Sequence, residues 1–341
     1  SVGRSVGRSV GRSVVCSLTS PLSPILQKPV AMGVKTETFL LLSLLIVGGG
    51  HSTPVTWSDR VEALQEHGQV GQPSASGPYE TSWELVNVSG LVSGSYHDAW
   101  VIYPSGTEAS DKTFPLLSFA HGKDAGGTAL KPSYTTILEA AASFGFVIIA
   151  PRSCPEHYCT NFYKDQLQCI TAAKEGLAST GLESVDWSKS VGIFGHSMGG
   201  AATMISAGKD GYDIAAAFFL HPYYTVHAED IKVPAVHGTG SSDQICPAEE
   251  VKNGFDANPF YPKVFAEIEG ATHLEPNSSG GRNKHRWDAY VPRLFMCHLN
   301  GDSDACDLIY GSTSDSLCYT DIEMTDCEVS VGGAGDRNDG T

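Results

Sequence analysis

Residues 191–207 read Val-Gly-Ile-Phe-Gly-His-Ser-Met-Gly-Gly-Ala-Ala-Thr-Met-Ile-Ser-Ala. An apolar run, Val191 to Phe194, passes through Gly195-His196-Ser197-Met198-Gly199 into small residues suited to a helix, which predicts strand, sharp turn and helix with a serine at the turn. Such a turn holds Ser197 in a strained backbone conformation, and strain of that kind persists where function demands it. Any side chain at Gly195 or Gly199 is expected to collide with the adjoining strand or helix. The helix starting behind Ser197 offers free N–H groups and the positive end of its dipole to a developing oxyanion. Ser197 is therefore the expected nucleophile.

A serine hydroxyl attacks only when a base takes its proton, so a histidine with an orienting carboxylate must follow in the chain. Asp243 stands in Gly238-Thr-Gly-Ser-Ser-Asp-Gln-Ile-Cys-Pro247, beyond an apolar run ending near Val236. His273 stands in Gly270-Ala-Thr-His-Leu-Glu-Pro276, beyond a run ending at Glu269. Both follow strands, so both are expected at the sheet edge that carries Ser197, within reach of one another. Asp213 and Asp230 are rival acids, but neither combines a position just after a strand with a histidine to follow. His196 is expected to point away from the nucleophile, and His121, His221 and His237 are read as structural groups at strand ends. The oxyanion donors are expected to be the N–H of Met198 and that of Lys123, in the loop His121-Gly-Lys-Asp-Ala-Gly-Gly127. The glycines there, Gly122 first, let backbone approach a substrate carbonyl closely.

Outward from this centre, Trp83–Val92 and Asp98–Tyr103 alternate like antiparallel strands. Residues 114–120, 146–150, 191–194, 214–220 and 233–236 are short apolar runs suited to strands buried on both faces. Helix-compatible stretches at 129–143, 163–178 and 198–207 lie between them. The alternation predicts an α/β domain over residues 81–311, with a mostly parallel central sheet and helices on both faces. Lys263–Glu269 is the expected last strand, followed by a helix near 284–299. Residues 53–80 read as a lead-in segment, and 312–341 as an acidic, cysteine-containing tail with a disordered end.

The first thirteen residues repeat Ser-Val-Gly-Arg, and residues 1–31 read as a non-structural leader, translated upstream of Met32. Residues 32–52 then have the form of a signal peptide: Lys35, the apolar run Phe39–Val47, and Gly48-Gly-Gly-His-Ser52. A nine-residue run is too short for a transmembrane helix, so no membrane anchor is expected. Eight cysteines follow that segment, an even number that an oxidising compartment would pair. Cys297 with Cys306 and Cys318 with Cys327 are the expected close pairs, and Cys154 and Cys159 are further candidates. Asn87 and Asn277 open N-x-S sequons, as glycosylation sites in the secretory route would. Together these features predict a chain in the secretory pathway, extracellular at its end.

The 22 Lys and Arg against 38 Asp and Glu give a net charge of −16, and only one of those acids, Glu37, precedes residue 53. Such an acidic body repels phosphate backbones, so nucleic-acid binding is not expected. No phosphate-binding or dinucleotide loop, H-E-x-x-H pair or calcium loop occurs in the sequence, so neither cofactor nor metal is expected.

At these residues the chain resembles the α/β-hydrolase superfamily, and within it the polyesterase, lipase and cutinase branch that includes cutinases and polyethylene terephthalate hydrolases. The resemblance runs from about Gly94 to Tyr310. It rests on the Ser197 turn, Gly-x-x-Asp-x-x-x-Pro around Asp243, Gly-Ala-x-His-x-x-Pro around His273, and the late Cys297/Cys306 pair. It implies the α/β-hydrolase fold and a serine ester hydrolase acting through an acyl-enzyme, monomeric, on small or polymeric esters. Where that branch has Pro-Trp beside the ester, this chain has Pro222-Tyr223, so Tyr223 is the implied substrate contact. Where it usually has an aromatic residue after the oxyanion glycine, this chain has Lys123. These departures retain the ester chemistry and do not carry over an aromatic polyester substrate. Chlorophyllases are similar in the 121–122 loop and the Ser197 turn, but have Asp-Pro where His221-Pro222 stands. A chlorophyllase-like esterase, an amidase, and a catalytically silent binding protein of the same fold are the alternatives.

Overall fold

The computed structural model describes residues 53–54, 73–155, 158–223, 227–279, 284–311, 316–320 and 323–332. The leader and signal-peptide expectations, 1–31 and 32–52, lie outside the described residues, as do 333–341. Ten strands are described: β1 (Thr53–Pro54), β2 (Glu80–Asn87), β3 (Asp98–Ser105), β4 (Leu116–Ala120), β5 (Val147–Pro151), β6 (Val191–His196), β7 (Ile214–Leu220), β8 (Ala235–Gly240), β9 (Lys263–Ile268) and β10 (Met324–Ser330). They form one sheet in the order β1-β10-β9-β8-β7-β6-β4-β5-β3-β2. Strands β4 to β9 pair in parallel. The β2 and β3 strands add antiparallel at one side, and β10 and β1 at the other.

The helices are α1 (Leu130–Ser143), α2 (Phe162–Lys174), α3 (Thr180–Glu183), α4 (Met198–Ala207), α5 (Ala248–Ala257), α6 (Trp287–Phe295), α7 (Ser303–Tyr310) and α8 (Leu317–Thr320). They cover two faces because the central strands are apolar on both. On β7, Ala216, Phe218 and Leu220 pack with Tyr134, Ile137 and Leu138 of α1 and Trp287, Val291 and Leu294 of α6. The alternate residues Ala217 and Phe219 pack with Leu167 and Ile170 of α2 and Met204 and Ala207 of α4. This is the period-two alternation of a strand buried on both sides, the reason its sequence reads as a continuous apolar run. The result is the α/β-hydrolase fold, with the parallel strands delivering their carboxyl ends, and the loops that follow them, to one edge of the sheet.

Three differences from the sequence reading matter. Strand β8 runs to Gly240 rather than ending near Val236, which shortens the step to Asp243. The last strand is β10, not β9: Met324–Ser330 runs antiparallel along β9 with Cys327 opposite Ala266. Its polar sequence, Met-Thr-Asp-Cys-Glu-Val-Ser, hides the strand, because only Met324, Cys327 and Ser330 are buried. Finally, the eight cysteines make three bridges, Cys154–Cys159, Cys297–Cys306 and Cys318–Cys327, with S–S distances of 2.01, 1.95 and 1.98 Å. Cys169 is a buried free thiol, and Cys246 is buried. Cys169 faces the core from α2, where burial pushes its thiol well above its ordinary pKa, the state of an inert structural cysteine.

Asn87 ends β2 with its side chain exposed, and Asn277 is half-buried in the loop after His273. Among the described residues, no helix is long and apolar enough to cross a membrane.

The Cys318–Cys327 bridge closes a loop of sequence separation 9 and ties β10 to α8. Replacing both cysteines by serine is expected to lower the unfolding free energy by about 2.6 kcal/mol, as the loop-closure entropy of a short loop requires. A urea titration beside the parent chain reads the shift.

Candidate active site

Ser197 sits between β6 and α4 with φ 57° and ψ −119°, a conformation that costs a non-glycine residue on the order of 1–3 kcal/mol. What over-determines it is visible on all sides. Its N–H donates to the Leu220 carbonyl at 2.9 Å, and its own carbonyl accepts from Ala201 and Tyr223, both at 3.0 Å. A Cβ on Gly195 would strike the Gly199 carbonyl, and one on Gly199 would strike the Ala120 carbonyl at the end of β4, so the expected collisions are real. Behind the turn lies Gln166 of α2, fully buried. Its Nε2 lies 3.2 Å from the carbonyls of Ser118 and Phe194 and 2.9 Å from Thr203 Oγ1, which in turn donates to the Gly199 carbonyl at 2.8 Å. Sequence reasoning missed Gln166, because a lone glutamine in a helix carries no pattern.

The three residues expected to work together are together. Ser197 Oγ lies 2.8 Å from His273 Nε2, and His273 Nδ1 lies 2.8 Å from Asp243 Oδ2. All three are buried, Ser197 retaining 7% exposure and His273 6%. Asp243 Oδ1 accepts from the N–H groups of Ile245 and Cys246 at 2.9 and 2.8 Å, an Asx-type turn that fixes the carboxylate on its own loop. Burial alone would raise the Asp243 pKa. Hydrogen bonds from His221 and His273 override it and hold the carboxyl well below the usual range.

Two more histidines, His221 and His196, stand beside these three. His221 Nδ1 lies 2.9 Å from the same Asp243 Oδ2 that His273 contacts. His196 is buried, its Nε2 2.8 Å from the His273 carbonyl, an obligate acceptor, so Nε2 donates. Its Nδ1 then accepts from Tyr134 Oη at 2.8 Å, and Tyr134 Oη accepts from Gly122 N–H, also at 2.8 Å. The His273 loop and the 121–127 loop are thus fixed to each other through β6. Burial, with the charges of His273 and His221, holds His196 well below its ordinary pKa and therefore neutral. His121 and His237 sit as structural groups, His121 between the carbonyls of Gly122 and Ser153, His237 beside Asn258. Of the rival acids, Asp213 bonds Ser190 and Asp230 bonds His227, both at the surface and away from Ser197.

Met198 begins α4, so its N–H has no carbonyl four residues back to bond. Gly122 packs against Ser197: a Cβ there would lie 3.3 Å from Ser197 Cβ and 2.9 Å from Tyr134 Oη. Lys123 follows it, its side chain turned to Asp124 at 2.9 Å on the surface. Tyr223 is half-buried, and its ring centroid is 5.3 Å from that of Tyr158. Tyr158 belongs to the loop closed by the Cys154–Cys159 bridge, and Cys159 N–H lies 3.3 Å from Met198 Sδ. Tyr158 was not foreseen, since its ring meets Tyr223 from a loop 65 residues earlier in the chain. Among the described residues, His221, Asp243 and His273 form one group whose donor atoms lie within 4.8 Å of one another. Those atoms already share hydrogen bonds, so an ion would have to displace two imidazole protons.

Residues 73–296 match the family model described as PETase, PET hydrolase-like. Cutinase 1 of Thermobifida cellulosilytica is 27% identical over 212 residues, covering 60% of this chain and 75% of that one. A cutinase of Thermobifida fusca (strain YX) is 27% identical over 212 residues, covering 60% and 65%. The bis(hydroxyethyl) terephthalate hydrolase of Streptomyces coelicolor is 29% identical over 218 residues, covering 60% and 63%. The chain thus spans slightly less than two thirds of the last two relatives.

A carboxylate whose folded-state pKa is depressed contributes stability that is complete above its unfolded value, about 3.9 for Asp, and is lost as pH falls through the folded value. The stability advantage of the parent over Asp243→Asn is therefore expected to stay constant from about pH 8 to pH 5 and to shrink below about pH 4. Urea titrations across that range test this; an advantage that grows on acidification contradicts it.

Proposed function

The chain belongs to the PET hydrolase-like family, and from that premise we propose that it is a secreted serine hydrolase of carboxylic esters, cutinase- and polyesterase-like, acting through an acyl-enzyme. The observation that carries the reading is the continuous pair of 2.8 Å contacts from Ser197 Oγ through the His273 ring to Asp243, on a serine whose backbone is strained. In this reading Ser197 Oγ attacks the ester carbonyl carbon while its proton passes to His273 Nε2. The imidazolium so formed faces the Asp243 carboxylate, already ionised and hydrogen-bonded, so no reorganisation is needed as charge develops. The N–H groups of Met198 and Lys123 receive the oxyanion, the first aided by the positive end of α4. His273 then returns the proton to the leaving alcohol. Water, deprotonated by the same nitrogen, attacks the acyl-enzyme, the acyl–Oγ bond breaks to release the acid, and His273 returns the proton to Ser197 Oγ.

Tyr223, joined by Tyr158, would line the side of the cleft beyond Met198 and contact the acyl or alcohol part. Secretion is supported by the three disulfides, which belong in an oxidising compartment, by the form of residues 32–52, and by the exposed sequon at Asn87. The names of the relatives, cutinase and terephthalate-ester hydrolase, support an ester as the substrate.

Initial rates on p-nitrophenyl butyrate and its matched anilide test the reading. Ester turnover is expected, with the anilide far slower, and Ser197→Ala should lower kcat by at least about a thousandfold without unfolding the protein. Equal rates in parent and variant would refute the nucleophile, and a preference for the anilide would move the reading to an amidase.

A further inference from the structure

Three residues suffice for the chemistry above, yet a fourth side chain reaches into it. His221 follows β7 directly and is fully buried, with φ 45°, a left-handed backbone that a side chain rarely adopts. A glycine would take that turn without strain, and an imidazole stands there instead. Its tautomer follows from its partners. Trp287 Nε1 can only donate, and it lies 3.3 Å from His221 Nε2, so Nε2 accepts and the proton resides on Nδ1. That Nδ1–H is therefore a donor, aimed at Asp243 Oδ2 at 2.9 Å. The His221 and His273 rings stand at 89° to each other with centroids 5.9 Å apart, both serving one oxygen.

We infer that His221 is a positioning residue of this site, a second imidazole that locks the Asp243 carboxylate for His273. With two backbone donors on Oδ1 and two imidazole donors on Oδ2, the carboxylate has no lone-pair direction left for a proton or a swing about χ2. Its plane is fixed before the proton arrives on His273, which is what preorganised electrostatic stabilisation requires. The lock is itself supported. Trp287 is held at the start of α6, where Glu275 accepts from the N–H groups of Arg286 and Trp287. Glu275 lies two residues beyond His273, so one loop supplies both the base and the anchor of the lock. A purely structural histidine would need no strained backbone and no contact with the one carboxylate the reaction uses.

The inference rests on the serine-hydrolase reading, and a double-substitution cycle separates the two. Kcat and KM on p-nitrophenyl butyrate are measured for the parent, His221→Leu, Asp243→Ala and the pair, with Ser197→Ala as the control and thermal midpoints alongside. Loss of a hydrogen bond to a charged group predicts that His221→Leu lowers kcat roughly ten- to hundredfold with KM little changed. In the Asp243→Ala background the same substitution should change kcat by less than about threefold, because the residue acts through that carboxylate. His221→Asn, whose amide nitrogen can occupy the place of Nδ1, should recover most of the loss, and His221→Gln should not. An equal loss in both backgrounds, or no loss in the parent background, overturns the lock while leaving the triad intact. Undiminished turnover in Ser197→Ala overturns both. If His221→Leu does not fold, the Asn and Gln variants decide, and equal activity in them overturns the proposal.

Discussion

Everything at this site depends on one unfavourable backbone: the left-handed turn at Ser197 that lifts its hydroxyl off the end of β6. A turn so tight exists only if β4 and α4 come close enough to clamp it, and only if nothing larger than hydrogen occupies positions 195 and 199. The buried side chain of Gln166 completes the clamp from α2 by serving polar groups on β4, β6 and α4 at once. A buried amide of this kind is costly when half satisfied and rigid when fully so. The strain is thus balanced against packing that extends through both faces of the sheet.

The second constraint is parallel pairing. Because β6, β7, β8 and β9 run in the same direction, the residues just past their ends share one edge: Ser197, His221, Asp243 and His273 come from four successive strands. The site is therefore a property of the sheet order, and hydrogen bonds only trim its geometry. His196 shows the economy of the arrangement. Next to Ser197 in sequence, it holds the backbone of His273 and, through Tyr134, that of Gly122, so the proposed base and the expected oxyanion loop keep register with the serine.

The parts of this molecule legible in the sequence are those that repeat a physical rule over several residues. Continuous apolar runs gave away β4 to β8, since burial on both faces leaves no polar alternation, and the Gly-x-Ser-x-Gly turn marked its serine because sterics exclude other residues. Asp243 and His273 were legible by position after strands. Illegible were residues whose role depends on distant partners. Nothing near His221 in sequence announces a carboxylate 22 residues on, nor does Trp287 announce its donation to that histidine across 66 residues. Strand β10 was hidden because it buries only Met324, Cys327 and Ser330, and Cys169 defeats pairing by parity because no count of cysteines reports which are enclosed in the core.

The central claim is that Ser197 is an activated nucleophile. It is tested most directly by treating the folded protein with a fluorophosphonate and locating the adduct by peptide mass spectrometry. The account predicts one phosphonyl group per chain, on Ser197, and none when His273 is replaced by alanine in a protein that remains folded. An adduct on another residue, or an unmodified Ser197 in the folded parent protein, would contradict it.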